Sequence, residues 1–299
     1  MHSWQFYSLK FLTKALSAIY SPSALNVTKT RKLFERCTQP LKICPDVKIE
    51  PVFDSPVPTE WIRINDDVRT TPVVLYFHGG GYIMGSLQSY RSYLSWFAHI
   101  TQTNLLSVGY RLAPENPFPA ALEDCLKVYD WLLKTCDRSR VILAGDSAGG
   151  GLVLSTLMAL RDTGKPLPQG AVCISPWTDL ALTGESLEKN RGRDPLMPSD
   201  LFPKVASLYL RDEDPCSSLA SPLYGNFQGL PDIFVQASRH EVLFSDAFRL
   251  KSKAAESEAG MILDIWNEMF HAWPFFAAFL PEAKESLRRV ADFIRAVTQ

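Results

Sequence analysis

Short, mostly apolar runs recur along this chain with helix-length segments between them, and that alternation leaves few architectures open. The runs are Val73–Phe77, Asn104–Val108, Val141–Ala144, Ala171–Ile174, Ile233–Ala237 and Ile262–Trp266, with a further strand expected at Glu60–Ile64. Helical spacing fits Ala120–Lys134, Gly149–Arg161, Ser245–Ala259 and Glu282–Val297. Strands alternating with helices argue for an α/β architecture, a mostly parallel central sheet flanked by helices on both faces. Sheets of this kind bind ligands outside the carboxyl ends of their strands. Chemistry is therefore to be sought in the residues that follow each run.

Two of those strand exits are rich in glycine. Val141–Ala144 leads into Gly145-Asp146-Ser147-Ala148-Gly149, and a helix-like run follows from Leu152. Alone, the pentapeptide recurs by chance in plain turns. Between a strand and a helix it reads as a nucleophile elbow, in which glycines permit a turn sharp enough to leave the serine exposed. The helix that follows points free N–H groups and its positive dipole end at developing negative charge. Upstream, Val73–Phe77 runs into His78-Gly79-Gly80-Gly81-Tyr82. Consecutive glycines leave main-chain N–H groups uncovered, as acyl transfer requires for its oxyanion. Gly80, Gly81 and Ala148 are the candidate donors, with Gly79 shaping the turn.

A serine nucleophile needs a base, and the five histidines are His2, His78, His99, His240 and His271. The elbow fold takes its residues in the chain order serine, acid, histidine, which leaves His240 and His271. His271 follows the strand-like Met261–Trp266 on a loop, where functional side chains usually project. His240 sits too close in sequence to its neighbouring acid. Two carboxylates follow Ile233–Ala237, Glu241 and Asp246. Glu241 is the nearer to the strand end, where an acid can reach the imidazole and fix its tautomer. Asp246 fits the first turn of a helix, where the dipole favours an acid, and both stay open on this reading.

At these residues the chain resembles the hormone-sensitive-lipase-like group of α/β-hydrolases, from about Pro58 to the C-terminus. His78-Gly-Gly-Gly81, Tyr110-Arg-Leu-Ala-Pro-Glu115 and Gly145-Asp-Ser-Ala-Gly149 stand as that group writes them. Ser175-Pro-Trp-Thr-Asp179 and Ser221-Pro-Leu223 are similar to its pattern. The resemblance implies an α/β-hydrolase fold and a cofactor-free serine carboxylesterase with the triad Ser147, Glu241 and His271. The family spacing supports Glu241, although that position is more often aspartate. It also implies a discontinuous helical cap from residues 1–45 and 180–215 over a catalytic domain of 46–179 and 216–299. The cap stripes are Trp4, Phe6, Tyr7, Phe11, Leu12, Leu16 and Ile19, and Met197, Leu201, Phe202, Val205, Leu208 and Tyr209. With Tyr82 and Trp177 they are expected to line pockets for short- to medium-chain acyl groups. Within Tyr110–Glu115, Arg111 and Glu115 are expected to form an ion-pair network with Asp124 that anchors the glycine loop.

Composition removes other classes. The 299 residues are 46% hydrophobic with a net charge of −1, which offers nucleic acid no electrostatic footprint. No run approaches the ~20 apolar residues of a membrane span. The N-terminus lacks the charged start, apolar centre and cleavage site of a signal peptide, Lys14 interrupting its apolar run. The cysteines at 37, 44, 125, 136, 173 and 216 have no Cys-x-x-Cys pairing or metal-ligand spacing. A reducing cytoplasm suits them best, a Cys37–Cys44 disulfide being the lesser alternative. The expected partner is a small-molecule ester, and a homodimer through exposed sheet edges is left open. Rival readings are an amide or formamide hydrolase or a lipase on the same machinery, and a non-catalytic ligand-binding relative. Certain plant hormone receptors resemble the family yet lack the histidine, which this chain retains.

Overall fold

Eight strands form one sheet in the order β1-β2-β4-β3-β5-β6-β7-β8 in the computed structural model, which describes residues 2–17, 25–66 and 71–299. The strands are β1 (Lys48–Val52), β2 (Thr59–Arg63), β3 (Val73–Phe77), β4 (Asn104–Val108), β5 (Val141–Asp146), β6 (Gly170–Ile174), β7 (Asp232–Ser238) and β8 (Met261–Trp266). From β4 to β8 every neighbouring pair is parallel, while β2 pairs antiparallel with both β1 and β4 and so alone runs against the rest. The helices are α1 (Trp4–Ser17), α2 (Val27–Thr38), α3 (Leu87–Thr101), α4 (Ala120–Leu132), α5 (Ala148–Asp162), α6 (Ser186–Lys189), α7 (Phe202–Leu210), α8 (Phe244–Glu256) and α9 (Pro281–Thr298).

Period-two alternation explains the layering. In β3, Val73, Leu75 and Phe77 point into one apolar cluster, and Val74 and Tyr76 into the other. The first cluster takes its helical side from α4, α5, α7 and α8. The second is filled by α3 and α9, through Tyr93, Leu94, Phe97, Leu287, Val290 and Ile294. Both faces of the central strands are therefore dry, which is why their sequences are continuous apolar runs.

Two elements escaped the sequence reading. β1 carries Lys48, Glu50 and Pro51, and it sits at the sheet edge, where proline's missing donor costs nothing. The second is α3, nucleated by a capping box in which Ser86 and Ser89 satisfy each other's main-chain N–H groups. Of the expected N-terminal stripe, Ile19 lies outside the described residues, as do the side chains of Leu12, Lys14 and Leu16. Phe6 and Leu9 are buried, whereas Trp4, Tyr7 and Phe11 face outward. All six cysteines are unpaired thiols, and no described helix is long and apolar enough to cross a membrane.

Candidate active site

Ser147 stands between β5 and α5 with φ 52° and ψ −122°, a conformation that costs a non-glycine residue roughly 1–3 kcal/mol. Its neighbours hold it there. The Ser147 N–H donates to the Ile174 carbonyl at 2.9 Å, and the Trp177 N–H donates to the Ser147 carbonyl at 2.9 Å. A Cβ on Gly149 would collide with the carbonyl oxygens of Phe77 and His78, so the helix can approach β3 this closely only with glycine there. Other non-glycine residues with left-handed backbone lie at the same end of the sheet: Tyr82, Ser175, Glu268 and Ala272. Strain is concentrated where the strands end.

His271 lies on the loop after β8, almost fully buried. Its Nδ1 is 3.0 Å from Oε2 of Glu241, which is itself fully buried. The other oxygen of Glu241 accepts from the Ser238 N–H at 2.6 Å, fixing the carboxylate against the end of β7. Nε2 of His271 is buried and without a hydrogen-bond partner. The tautomer with hydrogen on Nδ1 donates to Glu241 and leaves Nε2 able to accept a proton. Burial alone would push the imidazolium down. The Glu241 hydrogen bond and charge, aided by Asp194 and Asp146, outweigh it and raise His271 above the ordinary imidazole value. The Ala272 N–H donates to Ser175 Oγ at 3.1 Å, so the histidine loop and the elbow both rest on the exit of β6.

Asp246 does not approach this histidine. Its Oδ2 accepts from the N–H groups of Thr178 and Asp179 at 2.8 and 3.0 Å. It therefore holds the loop after β6 rather than the imidazole, and burial pushes its carboxyl up to about 7. Between the two acids of the sequence reading, the fold brings Glu241 to His271.

The glycine loop is clamped from below. Asp146 accepts from the Gly79 N–H at 3.1 Å, the Tyr76 hydroxyl at 2.8 Å and the Tyr90 hydroxyl at 2.9 Å. His78 stacks on Tyr110 with ring centroids 4.2 Å apart, and burial pushes it down to about 4, so it stays neutral there. Gly80 has φ 110°, open only to glycine, and its carbonyl accepts from the N–H groups of Ile83 and Met84. Among the described residues, the N–H groups of Gly80, Gly81 and Ala148 donate to no protein acceptor. Tyr82 and Trp177 are fully buried. Tyr82 stacks on Tyr209 at 3.7 Å and joins the glycine loop to α7, while Trp177 meets Phe202 edge-on at 4.9 Å and joins the loop after β6 to it.

The expected ion-pair network needs one correction. Arg111 pairs with Asp124 at 2.8 Å and with Glu123, whereas Glu115 pairs with Arg31 of α2. Arg31 also donates to the carbonyls of Ile83 and Ala113 at 2.6 and 2.7 Å, tying α2 to the glycine loop. Asp194 is the buried group that sequence reasoning missed: its Oδ2 accepts from the His271 N–H at 3.1 Å. Nothing in Arg193-Asp194-Pro195 marks it. Among the described residues, Cys44, Asp46 and His99 form a trio of ligand type within 4.8 Å of one another, and they belong to no part of this site.

A strained serine at a strand-to-helix turn, a buried acid–histidine pair and a glycine loop thus stand together at the carboxyl edge of a parallel sheet, the architecture of an α/β hydrolase. A family model for the alpha/beta hydrolase fold matches residues 74–275. The chain is 42% identical over 241 residues, 80% of each chain, to an acetyl-hydrolase of Streptomyces hygroscopicus. It is 31% identical to an esterase of Acinetobacter venetianus over 97% of this chain and 96% of that one. A crystal structure of an esterase from the bacterial hormone-sensitive lipase family superposes with TM-score 0.93 at 38% identity, covering all of both chains. The chain belongs to the hormone-sensitive-lipase-like α/β-hydrolases and is a carboxylic ester hydrolase.

Proposed function

We propose that the enzyme cleaves short- to medium-chain carboxylic esters through Ser147, His271 and Glu241. The observation that carries this reading is the buried Glu241–His271 pair with Nε2 left unpartnered. His271 Nε2 takes the hydroxyl proton of Ser147 as Oγ attacks the ester carbonyl. The carbonyl oxygen becomes an oxyanion and accepts from the N–H groups of Gly80, Gly81 and Ala148, each donor worth on the order of 10²–10³ in rate. The imidazolium, held by Glu241, passes its proton to the departing alkoxide. Water then attacks the acyl-enzyme with His271 as base, releasing the acid and restoring Ser147.

Support for a shallow acyl pocket comes from the roof. A Cβ on Gly81 would lie 2.9 Å from Val205 of α7 and 3.9 Å from Trp177, so α7 sits directly over the glycine loop. Ser147 is only 4% exposed beneath that roof. Residues 1–45 and 180–215 act in this reading as one cap. Lys204 of the second part donates to the Leu25 carbonyl of the first at 3.5 Å, and Ser86 bonds Glu35 of α2. The unpaired thiols suit a reducing compartment such as the cytoplasm.

Hydrolysis of p-nitrophenyl esters from C2 to C12 by the wild type and Ser147→Ala tests the proposal. Activity that peaks at C2–C6 and vanishes in Ser147→Ala is expected. A peak at emulsified long chains would instead make the protein a lipase, and turnover confined to amides would make it an amidase.

A further inference from the structure

The segment between α6 and α7 holds both ends of the acid–histidine pair. Asn190 Nδ2 donates to the carbonyls of Glu241 and Arg239 at 2.8 and 2.9 Å, gripping the loop that carries the acid. Four residues on, Asp194 Oδ2 accepts from the His271 N–H at 3.1 Å, while its Oδ1 accepts from the Leu196 N–H at 3.0 Å. Asn190 and Asp194 are both buried, so neither tether can be replaced by solvent without opening the site. The exits of β7 and β8 also meet through Glu241 and His271 themselves, the Ser238–Met269 hydrogen bond and the Arg239 N–H on the Trp266 carbonyl.

We propose that Asp194 is a positioning residue for the reaction, acting with Asn190 as a clamp that fixes the histidine loop and adds a further buried negative charge beside the imidazole to those of Glu241 and Asp146. The proposal rests on His271 being the base. The charged groups facing that ring are Glu241 from the loop after β7, Asp146 from the end of β5 and Asp194 itself. Asp194 in turn faces His271 and Glu241, and burial pushes it up to about 6, so its charge is present where the base must be neutral and is lost as the medium turns acid. An anion there favours the imidazolium that forms while Ser147 attacks. Asp194 thus works through His271 and touches no substrate.

The test compares pH profiles of kcat/KM and kcat for p-nitrophenyl butyrate in wild type, Asp194→Asn, Asp194→Ala and Asn190→Ala, with Ser147→Ala as reference. Asn at 194 keeps an oxygen for the His271 N–H, removes the charge and gives up the acceptor of the Leu196 N–H. Its acid limb is expected to move to lower pH by about one unit with KM unchanged. Asp194→Ala should show the same move and a further fall in kcat, because the His271 N–H loses its acceptor. Asn190→Ala, which removes no charge, should lower kcat and leave the limb in place. A limb in Asp194→Asn that coincides with that of wild type, or one that moves equally in Asn190→Ala, would overturn the assignment. Turnover surviving in Ser147→Ala would overturn the clamp together with the triad beneath it; a dead Ser147→Ala beside an unmoved limb would overturn the clamp alone. Thermal melts of each variant separate loss of fold from loss of position.

Discussion

Replacing Glu241 by glutamine is the sharpest test of how this site works. The side chain is fully buried, with one oxygen on the Ser238 N–H and the other on His271 Nδ1. Glutamine is nearly isosteric, and its carbonyl can keep the Ser238 bond. Its NH₂ group then faces Nδ1, which must become an acceptor, so the imidazole proton moves to Nε2. The ring is then in the wrong tautomer to take a proton from Ser147, a fault that costs about 10⁴ in kcat in Ser–His–acid hydrolases. At 1.36 kcal/mol per decade this is roughly 5 kcal/mol of lost transition-state stabilisation. The fold should lose far less, about 1–3 kcal/mol, since only one buried hydrogen bond is exchanged. Steady-state kinetics on p-nitrophenyl butyrate beside urea unfolding would read both numbers. A variant that keeps more than about a tenth of wild-type kcat would refute the reasoning, as would Asp246→Asn falling equally far. Asp246 grips only the loop at Thr178 and Asp179, so its asparagine variant should keep kcat within about tenfold and show its cost in the melt.

Further outcomes follow from other contacts. Because His271 is raised above the usual imidazole value and serves as a neutral base in the proposed mechanism, kcat/KM should fall on the acid side through a limb above pH ~6.5, and a limb well below that would contradict the Glu241 pairing. Gly149→Ala must push a methyl group into the Phe77 and His78 carbonyls, and about 4 kcal/mol or more of lost stability is expected, read as failure to yield soluble, cooperatively melting protein. Val205→Ala opens space above Gly81 and should move the optimum of the acyl panel toward longer chains, while an unchanged optimum would remove α7 from the pocket. Arg31→Ala strands the Ile83 and Ala113 carbonyls and should cost about 2 kcal/mol and raise KM several-fold more than it lowers kcat, measured by melts and kinetics.

The parts of the fold that the sequence revealed are those where burial on both faces forces a continuous apolar run. β3 to β7 fall within a residue or two of expectation, because a dry strand has no choice of composition, and β8 does so although it is a part-exposed edge strand. β1 was hidden because an edge strand can carry lysine, glutamate and proline. The helix α3 was hidden because buried tyrosines and serines interrupt its apolar face at Leu94 and Phe97, Tyr90 being satisfied by Asp146 and Ser89 by the capping box. The serine, the glycine loop and the histidine were legible since each depends on local chain geometry or on elimination. Asp194 was not, because it meets His271 across 77 residues through a main-chain N–H that places no demand on the sequence around it. Glu115 was assigned to the wrong arginine for the same reason: its partner lies on α2, and nothing local names Arg31.

The Asp146 hub has a consequence for how this enzyme can change. One buried carboxylate joins the residue before Ser147 to the glycine loop, to β3 and to α3, so the floor of the site is a single cross-linked piece. Tyr76, Tyr90 and Asp146 can be altered only together, and single substitutions there will surface as inactive proteins instead of new specificities. The roof, built from α2 and α7, hangs on side-chain contacts such as Arg31–Glu115 and Tyr82–Tyr209 that can be exchanged one at a time. Laboratory evolution toward bulkier esters should therefore accumulate its successful mutations above the serine and almost none beneath it.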